Sequence, residues 1–190
     1  EQELKATVST FNAKAGHIVI MDPQTGEVLA LANWPTYNPN TVNTSTISDR
    51  RNRAVLDVIE PGSTFKVFTL SAALNSGAIR PDELIFCERG RMEIGDTKKV
   101  PIHDEHRDGW LNPTQCLKRS SNICFAKIAL KMGKKRLYHY LRRFGFGERS
   151  HLDLPFEAAG TLHHYRNWYD IDAATIAFGQ GVGVTGMQMA

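Results

Sequence analysis

The chain has 190 residues, 42% hydrophobic and 23% charged, a composition that fits one globular domain with a substantial core and excludes a disordered chain. A net charge of +3 and a pI near 8.8 are mildly basic and select no partner. No apolar run approaches the roughly 20 residues that a membrane span requires. The basic clusters at Arg50, Arg51 and Arg53 and at Lys134, Lys135 and Arg136 lack aromatic interleaving, so they are read as solvated faces and not as a nucleic-acid site.

In chain order, a polar lead-in precedes "HIVIM" (residues 17–21), which reads as a strand. "DPQTG" turns and "EVLALA" (residues 27–32) returns, a hairpin. "NWPTYNPNTVNTSTISD" is a long surface loop, rich in Asn, Thr, Ser and Pro. A helix is expected from Ser63 to residues 75–77. It is apolar almost all round (Phe65, Val67, Phe68, Leu70, Ala72, Ala73, Leu74), which predicts a place at the centre of a core. "RGRMEIGDTKKV" suits a short hairpin, followed by the polar "PIHDEHRDGW". "NICFAKIALKM" and "KKRLYHYLRRF" read as helices closed by Gly133 and Gly145, and the tail is glycine-rich before it turns apolar. The chain begins with Glu1 and carries no visible signal peptide, so it is read as starting inside a larger gene product. Cys87, Cys116 and Cys124 form no C-x-x-C pair, and any pairing leaves one over. They are read as small buried hydrophobes, with the redox compartment undecided.

The chemistry concentrates in "EPGSTFK". Residues three apart share a helix face, so Ser63 and Lys66 can touch. A serine hydroxyl attacks well only when a base takes its proton, and lysine is that base only when neutral. Burial on an apolar helix pushes the amine towards the neutral form, and the positive helix N-terminus opposes the ammonium and favours an oxyanion. Pro61 and Gly62 keep bulk away from the hydroxyl. Alone, S-x-x-K more often marks a capping serine with a snorkelling lysine. A second element, "SSN", places Ser120 and Asn122 before another apolar helix. There they offer a hydroxyl for proton relay and an amide to fix the lysine, or an ordinary N-cap. In "HDEHRD", His103 and His106 stand with Asp104 and Glu105 at a spacing a metal could use, as do the adjacent His163 and His164, but both are read as solvent-facing. No cofactor is expected. Phe178, Gly179 and Gln180 are read as a structural turn without a chemical role.

"RNRAVLDVIEPGSTFK", "SSN", "LRRFGFGERSHLDLP" and "ATIAFGQGVGVTGMQMA" together, in this order, resemble the transpeptidase domain of monofunctional class B penicillin-binding proteins, and the first phrase is most similar to the division type. The resemblance implies an α+β fold, a helical cluster on an antiparallel sheet. It also implies a serine D,D-transpeptidase that crosslinks peptidoglycan stem peptides and is acylated by β-lactams. Ser63 would be the nucleophile, Lys66 the base, Ser120 a proton shuttle and Asn122 an orienting amide. Division or cell-wall synthesis proteins would be partners, at the periplasmic face of the inner membrane, with the full-length protein membrane-anchored. The family's third element, K-T-G or K-S-G, occurs nowhere in residues 1–190. The chain is therefore read as part of a transpeptidase domain, lacking the strand that carries this element, and is expected to acylate weakly or not at all by itself. Two readings compete. A β-lactamase or β-lactam sensor would need a deacylating glutamate, for which Glu88, Glu93 and Glu105 are the nearest candidates. A non-catalytic cell-wall or division scaffold would not need Ser63, Lys66, Ser120 and Asn122 intact.

Overall fold

The computed structural model describes residues 1–95 and 99–190. In chain order its elements are α1 (Gln2–Thr10), β1 (Gly16–Met21), β2 (Val28–Trp34), α2 (Arg53–Leu56), α3 (Lys66–Asn75), β3 (Ile85–Phe86), β4 (Arg91–Ile94) and β5 (Val100–His103). They continue with β6 (Trp110–Leu111), α4 (Pro113–Lys118), α5 (Asn122–Met132), α6 (Lys134–Arg143), α7 (Asp170–Ile176) and α8 (Gly186–Met189). They divide into two compact units, one of residues 1–59, 148–160 and 184–190, the other of residues 60–147 and 161–183.

In the first unit β1 and β2 pair antiparallel, the hairpin expected from two β-type runs around DPQTG, with a register shift at Ile20/Met21. The Asp22 carboxylate accepts the Gln24 and Thr25 amides, and Gly26 takes a φ of 76°, which closes the turn. The polar lead-in is a helix, α1. Its only buried side chains are Leu4 and Val8, one turn apart. Gly16 lets them close down on the hairpin, since a Cβ there would stand 3.0 Å from both.

The second unit is built around α5, which packs against α3, α6 and α7. Ile123, Cys124, Phe125, Ala126, Ile128 and Ala129 are all buried, so α5 takes the central place expected of α3. α3 instead buries one face (Lys66, Thr69, Ala72, Ala73) and leaves Val67 and Leu74 exposed. Phe65, Phe68, Phe144 and Phe146 form a ring cluster beneath α3. β4 and β5 make a second hairpin, whose return strand lies mostly in the PIH expected to be part of a polar stretch; residues 96–98 of the predicted hairpin lie outside the described residues. The short strands β3 and β6 pair beside it in sequence.

The cysteines are more than small hydrophobes. Cys87 and Cys124 form a disulfide across a separation of 37 residues, and Cys116 stays free and buried, with its thiol pushed up to about 12 by burial. Closing a loop of that size restricts the unfolded chain and is worth about 4 kcal/mol. Cys87→Ala with Cys124→Ala is expected to lower the urea midpoint accordingly and to steepen the slope, because the uncrosslinked chain unfolds to a more open state. A midpoint that ignores both the double substitution and added reductant would mean that the sulfurs are not joined in solution.

Candidate active site

The chain enters α3 through a 3-10 turn, Gly62–Phe65, and not through an α-helical start at Ser63. A 3-10 turn eclipses residues three apart, so Ser63 and Lys66 lie one above the other. Lys66 Nζ donates to Ser63 Oγ at 3.0 Å. Ser63 is exposed, whereas Lys66 is 1% exposed, so an accessible hydroxyl stands on a buried amine.

The turn and the start of α3 are held from behind by residues 177–181. The Gly62 amide donates to the Gly179 carbonyl at 3.0 Å, the Gly181 amide donates to Glu60 Oε1 at 2.7 Å, and the buried Thr69 hydroxyl donates to the Ala177 carbonyl at 2.9 Å. The segment around Gly179 is thus more than a structural turn: it braces the Ser63 loop directly, and Glu60 and Thr69 join it.

The opposite wall is the turn between α4 and α5. α4 ends with the Ser121 amide donating to the Cys116 carbonyl and the Ser120 amide donating to the Leu117 carbonyl, the paired closure of a helix that turns left-handed. Ser120 occupies the left-handed position with a φ of 54°, where glycine is the easy choice. A serine there accepts backbone strain and delivers both its carbonyl and its hydroxyl to Lys66 Nζ, the hydroxyl at 2.9 Å. The N-cap of α5 is neither Ser120 nor Asn122 but Ser121, whose Oγ accepts the Cys124 amide at 3.0 Å. Capping by the middle residue leaves its two neighbours free for the lysine. Asn122 Oδ1 accepts from Lys66 Nζ at 2.8 Å, while its Nδ2 donates to the His103 carbonyl at 3.0 Å, so both ends of the amide are fixed.

Lys66 Nζ therefore has four oxygens in reach. The Ser120 carbonyl and Asn122 Oδ1 can only accept, and they take two N–H groups. The third direction points at hydroxyls that can donate as well as accept, so a neutral amine satisfies the site completely, with its lone pair towards Ser63 or Ser120. Burial lowers the Lys66 pKa from 10.5 to about 8, against the opposing pull of the Asp104 and Glu105 carboxylates. At pH 7 about one amine in ten is then neutral, against fewer than about one in a thousand for a free lysine. The Phe125 ring, 5.7 Å from Nζ, forms the apolar floor.

The remaining candidates are engaged elsewhere. His103 and His106 are exposed. Asp104 between them turns inward to the α5 N-terminus, accepting from the Ser121 hydroxyl and the Ile123 amide. Glu88 pairs with Lys127, and Glu93 lies near Arg91 and Lys99. His164 caps a turn through Nδ1 and stacks with Tyr138 and Tyr165. Of the basic clusters, Arg51 and Arg53 pair with Asp57, and Lys134 donates to the Trp168 carbonyl. Among the described residues no helix is long and apolar enough to cross a membrane.

Residues 16–190 match the family model described as the penicillin-binding protein transpeptidase domain. The chain is 37% identical over its whole length to the probable peptidoglycan D,D-transpeptidase PenA of Neisseria gonorrhoeae, covering 32% of that protein. It is 37% identical, again over its whole length, to the peptidoglycan D,D-transpeptidase FtsI of Escherichia coli, covering 31% of it. It thus spans about a third of the length of these curated relatives. Among solved structures, the apo transpeptidase domain of Burkholderia pseudomallei penicillin-binding protein 3 superposes with a TM-score of 0.87 at 35% identity over 99% of this chain and 51% of that one. A peptidoglycan glycosyltransferase from Burkholderia ambifaria superposes with a TM-score of 0.88 at 36% identity, over 100% of this chain and 55% of that one. With the family model matched over all but its first residues and relatives aligned end to end, the chain belongs to the penicillin-binding protein transpeptidase family, and its α+β architecture is that of the family's fold.

Proposed function

We propose that the chain carries the acylating half of a serine D,D-transpeptidase that crosslinks peptidoglycan stem peptides. The observation that supports it most is the buried Lys66 amine, 3.0 Å from the exposed Ser63 hydroxyl and bounded by Ser120 and Asn122. Lys66 accepts the Ser63 proton as Oγ bonds to the carbonyl carbon of the penultimate D-Ala. The tetrahedral oxyanion faces the Ser63 amide at the mouth of the helix. Collapse breaks the peptide C–N bond, and the proton held by Lys66 passes through the Ser120 hydroxyl to the departing D-Ala amine. The acyl-enzyme is then attacked by an amine from a neighbouring strand, whose proton returns by the same route, and Ser63 is restored. Asn122 holds the Lys66 lone pair on the line between the two serines. A β-lactam enters the same sequence, but the amine it releases stays tethered to the acyl group.

Stem peptides and β-lactams are accordingly the ligands, and division or cell-wall synthesis proteins the partners. The Cys87–Cys124 disulfide favours an oxidising compartment, which suits the periplasmic face of the inner membrane. The test is mass spectrometry of the full-length gene product after penicillin treatment. A long-lived adduct on the peptide bearing Ser63 is expected. Rapid release of hydrolysed penicillin would mean a β-lactamase instead, and an unmodified Ser63 would leave a scaffold.

A further inference from the structure

We infer that the outer face of α6, continued by the cleft between α6 and α3, is a docking groove for an acidic amphipathic helix of a partner protein. The inference does not depend on the chemistry at Ser63. α6 buries Leu137 and Leu141 completely, which leaves Arg136, Tyr140 and Arg143, at spacings of four and three, along one outer flank. With Met132 and Gly133 at the junction to α5, they line a groove of about 600 Å³. Tyr140 and Arg143 also line a second hollow of about 300 Å³, which runs on to Ser71, Asn75 and Phe144, so the two are continuous. Where they meet, the Tyr140 hydroxyl accepts from Asn75 Nδ2 at 2.9 Å and ties α6 to α3. From Gly133 to Phe144 the groove follows α6 for about 16 Å, the length of three helical turns.

Its charge is of one sign. α6 holds five lysines and arginines between Lys134 and Arg143 and no acidic residue. Among the described residues no acidic side chain lines either hollow. Lys135, Arg136 and Arg143 enter no ion pair with the described residues, and Arg143 lies only over the Tyr140 ring, 5.4 Å from its centre. On neighbouring α5, by contrast, Lys127 and Lys131 each pair with a glutamate. Lys135 and Arg136 stand in the first turn of α6, where the positive end of the helix repels cations, so they weaken the helix that carries them. Cations that cost their own helix stability and find no partner there are explained by a partner that brings carboxylates.

The floor decides what kind of partner. Met132, Gly133 and the Tyr140 and Phe144 rings are apolar, and a small inorganic anion would leave them uncovered. An anionic membrane surface would find no apolar stripe to take in, because Leu137 and Leu141 already face the core. A helix of about three turns satisfies both features, with apolar side chains laid on the floor and carboxylates reaching Arg136, His139 and Arg143.

The experiment uses the full-length gene product and a fluorescein-labelled peptide of about four helical turns. The peptide has Leu at i, i+3, i+4 and i+7 and Glu at the flanking positions, and binding is followed by anisotropy. The parent should bind it, less tightly as salt is raised. A companion peptide with Ser for Leu at unchanged charge should bind at least about tenfold more weakly. Arg136→Glu and Arg143→Glu should each weaken binding of the leucine peptide about tenfold or more. Lys14→Glu, which reverses an exposed charge in the other unit, should change it less than about twofold. Folding is checked by thermal melting, and the serine peptide needs no change in the protein should a variant not fold. No binding of the leucine peptide, equal binding of the two peptides or an equal loss in Lys14→Glu would overturn the inference. Two other occupants would overturn it as well. Binding to phosphatidylglycerol vesicles in place of the peptide assigns the face to a membrane. A parent dimer in sedimentation velocity that Arg136→Glu dissolves assigns it to a second copy of this chain. A parent that never labels at Ser63 defeats the functional reading alone, because no readout here uses acylation.

Discussion

In the full-length gene product, Lys66→Met is expected to slow acylation of Ser63 by a β-lactam about a thousandfold or more while leaving the fold intact. Methionine fills the same unbranched volume but has no lone pair for the serine proton. Lys66→Arg is expected to be as inactive, because a guanidinium stays charged and gives the hydroxyl no acceptor. In the parent the acylation rate should climb with pH and level off above about 8, where the amine is neutral. Stability carries the same signature with a defined sign. The Lys66 pKa is lowered by folding, so between pH 8 and 10.5 the unfolded chain holds more protons than the native one, and stability rises with pH across that window. Below it the buried ammonium is a standing cost. Lys66→Met removes that cost but leaves the Ser120 carbonyl and Asn122 Oδ1 without a donor, so its signature is a stability that is flat through the window. Measuring urea unfolding and penicillin labelling on the same two proteins checks both halves. An active methionine variant would transfer the role of base to another group.

The Ser63–Lys66 contact was legible because it is local: a spacing of three residues places the groups together in any helical turn, and the 3-10 form only tightens it. The hairpin, α5 and α6 were legible for the same reason, through the turn residues of DPQTG and through Gly133 and Gly145 at the helix ends. What escaped depends on contacts between distant residues. "SSN" offers three residues that could cap α5, and only the left-handed turn at Ser120 assigns the cap to Ser121 and turns the other two towards the lysine. Asp104 lies in a histidine-rich string that suggests metal ligation, and its partners are in reach only after the β4–β5 hairpin has folded. The disulfide joins positions 37 apart with no spacing motif to mark them. α1 escaped for a different reason: two buried side chains in nine residues barely rise above a polar background.

Gly179→Ala carries the second large effect, and it tests whether the rear brace of the Ser63 loop matters as much as the groups in front. Gly179 has a φ of 83°, and a Cβ there would lie 2.0 Å from the Gly62 carbonyl oxygen, 2.6 Å from its nitrogen and 2.7 Å from its carbonyl carbon. All three are backbone atoms, so no side chain can swing aside. Relief requires Gly62 to move, which breaks its hydrogen bond to Gly179 and displaces the residue next to Ser63. Left-handed strain and overlap together should cost about 3 kcal/mol of stability. The displaced hydroxyl should lose about a hundredfold in acylation rate, since an ångström of misplacement at the attacking atom is enough for that. Gly145→Ala separates the two causes. Gly145 has a φ of 90° but no atom within 4 Å of the added Cβ, so it should lose about 1 kcal/mol and label at the parent rate. If both alanine variants label alike, backbone strain in general is at work and residues 178–181 do not aim the serine. If only Gly179→Ala fails, the orientation of Ser63 is set by the close approach of two glycines more than a hundred residues apart, and the reactive turn is only as rigid as that contact.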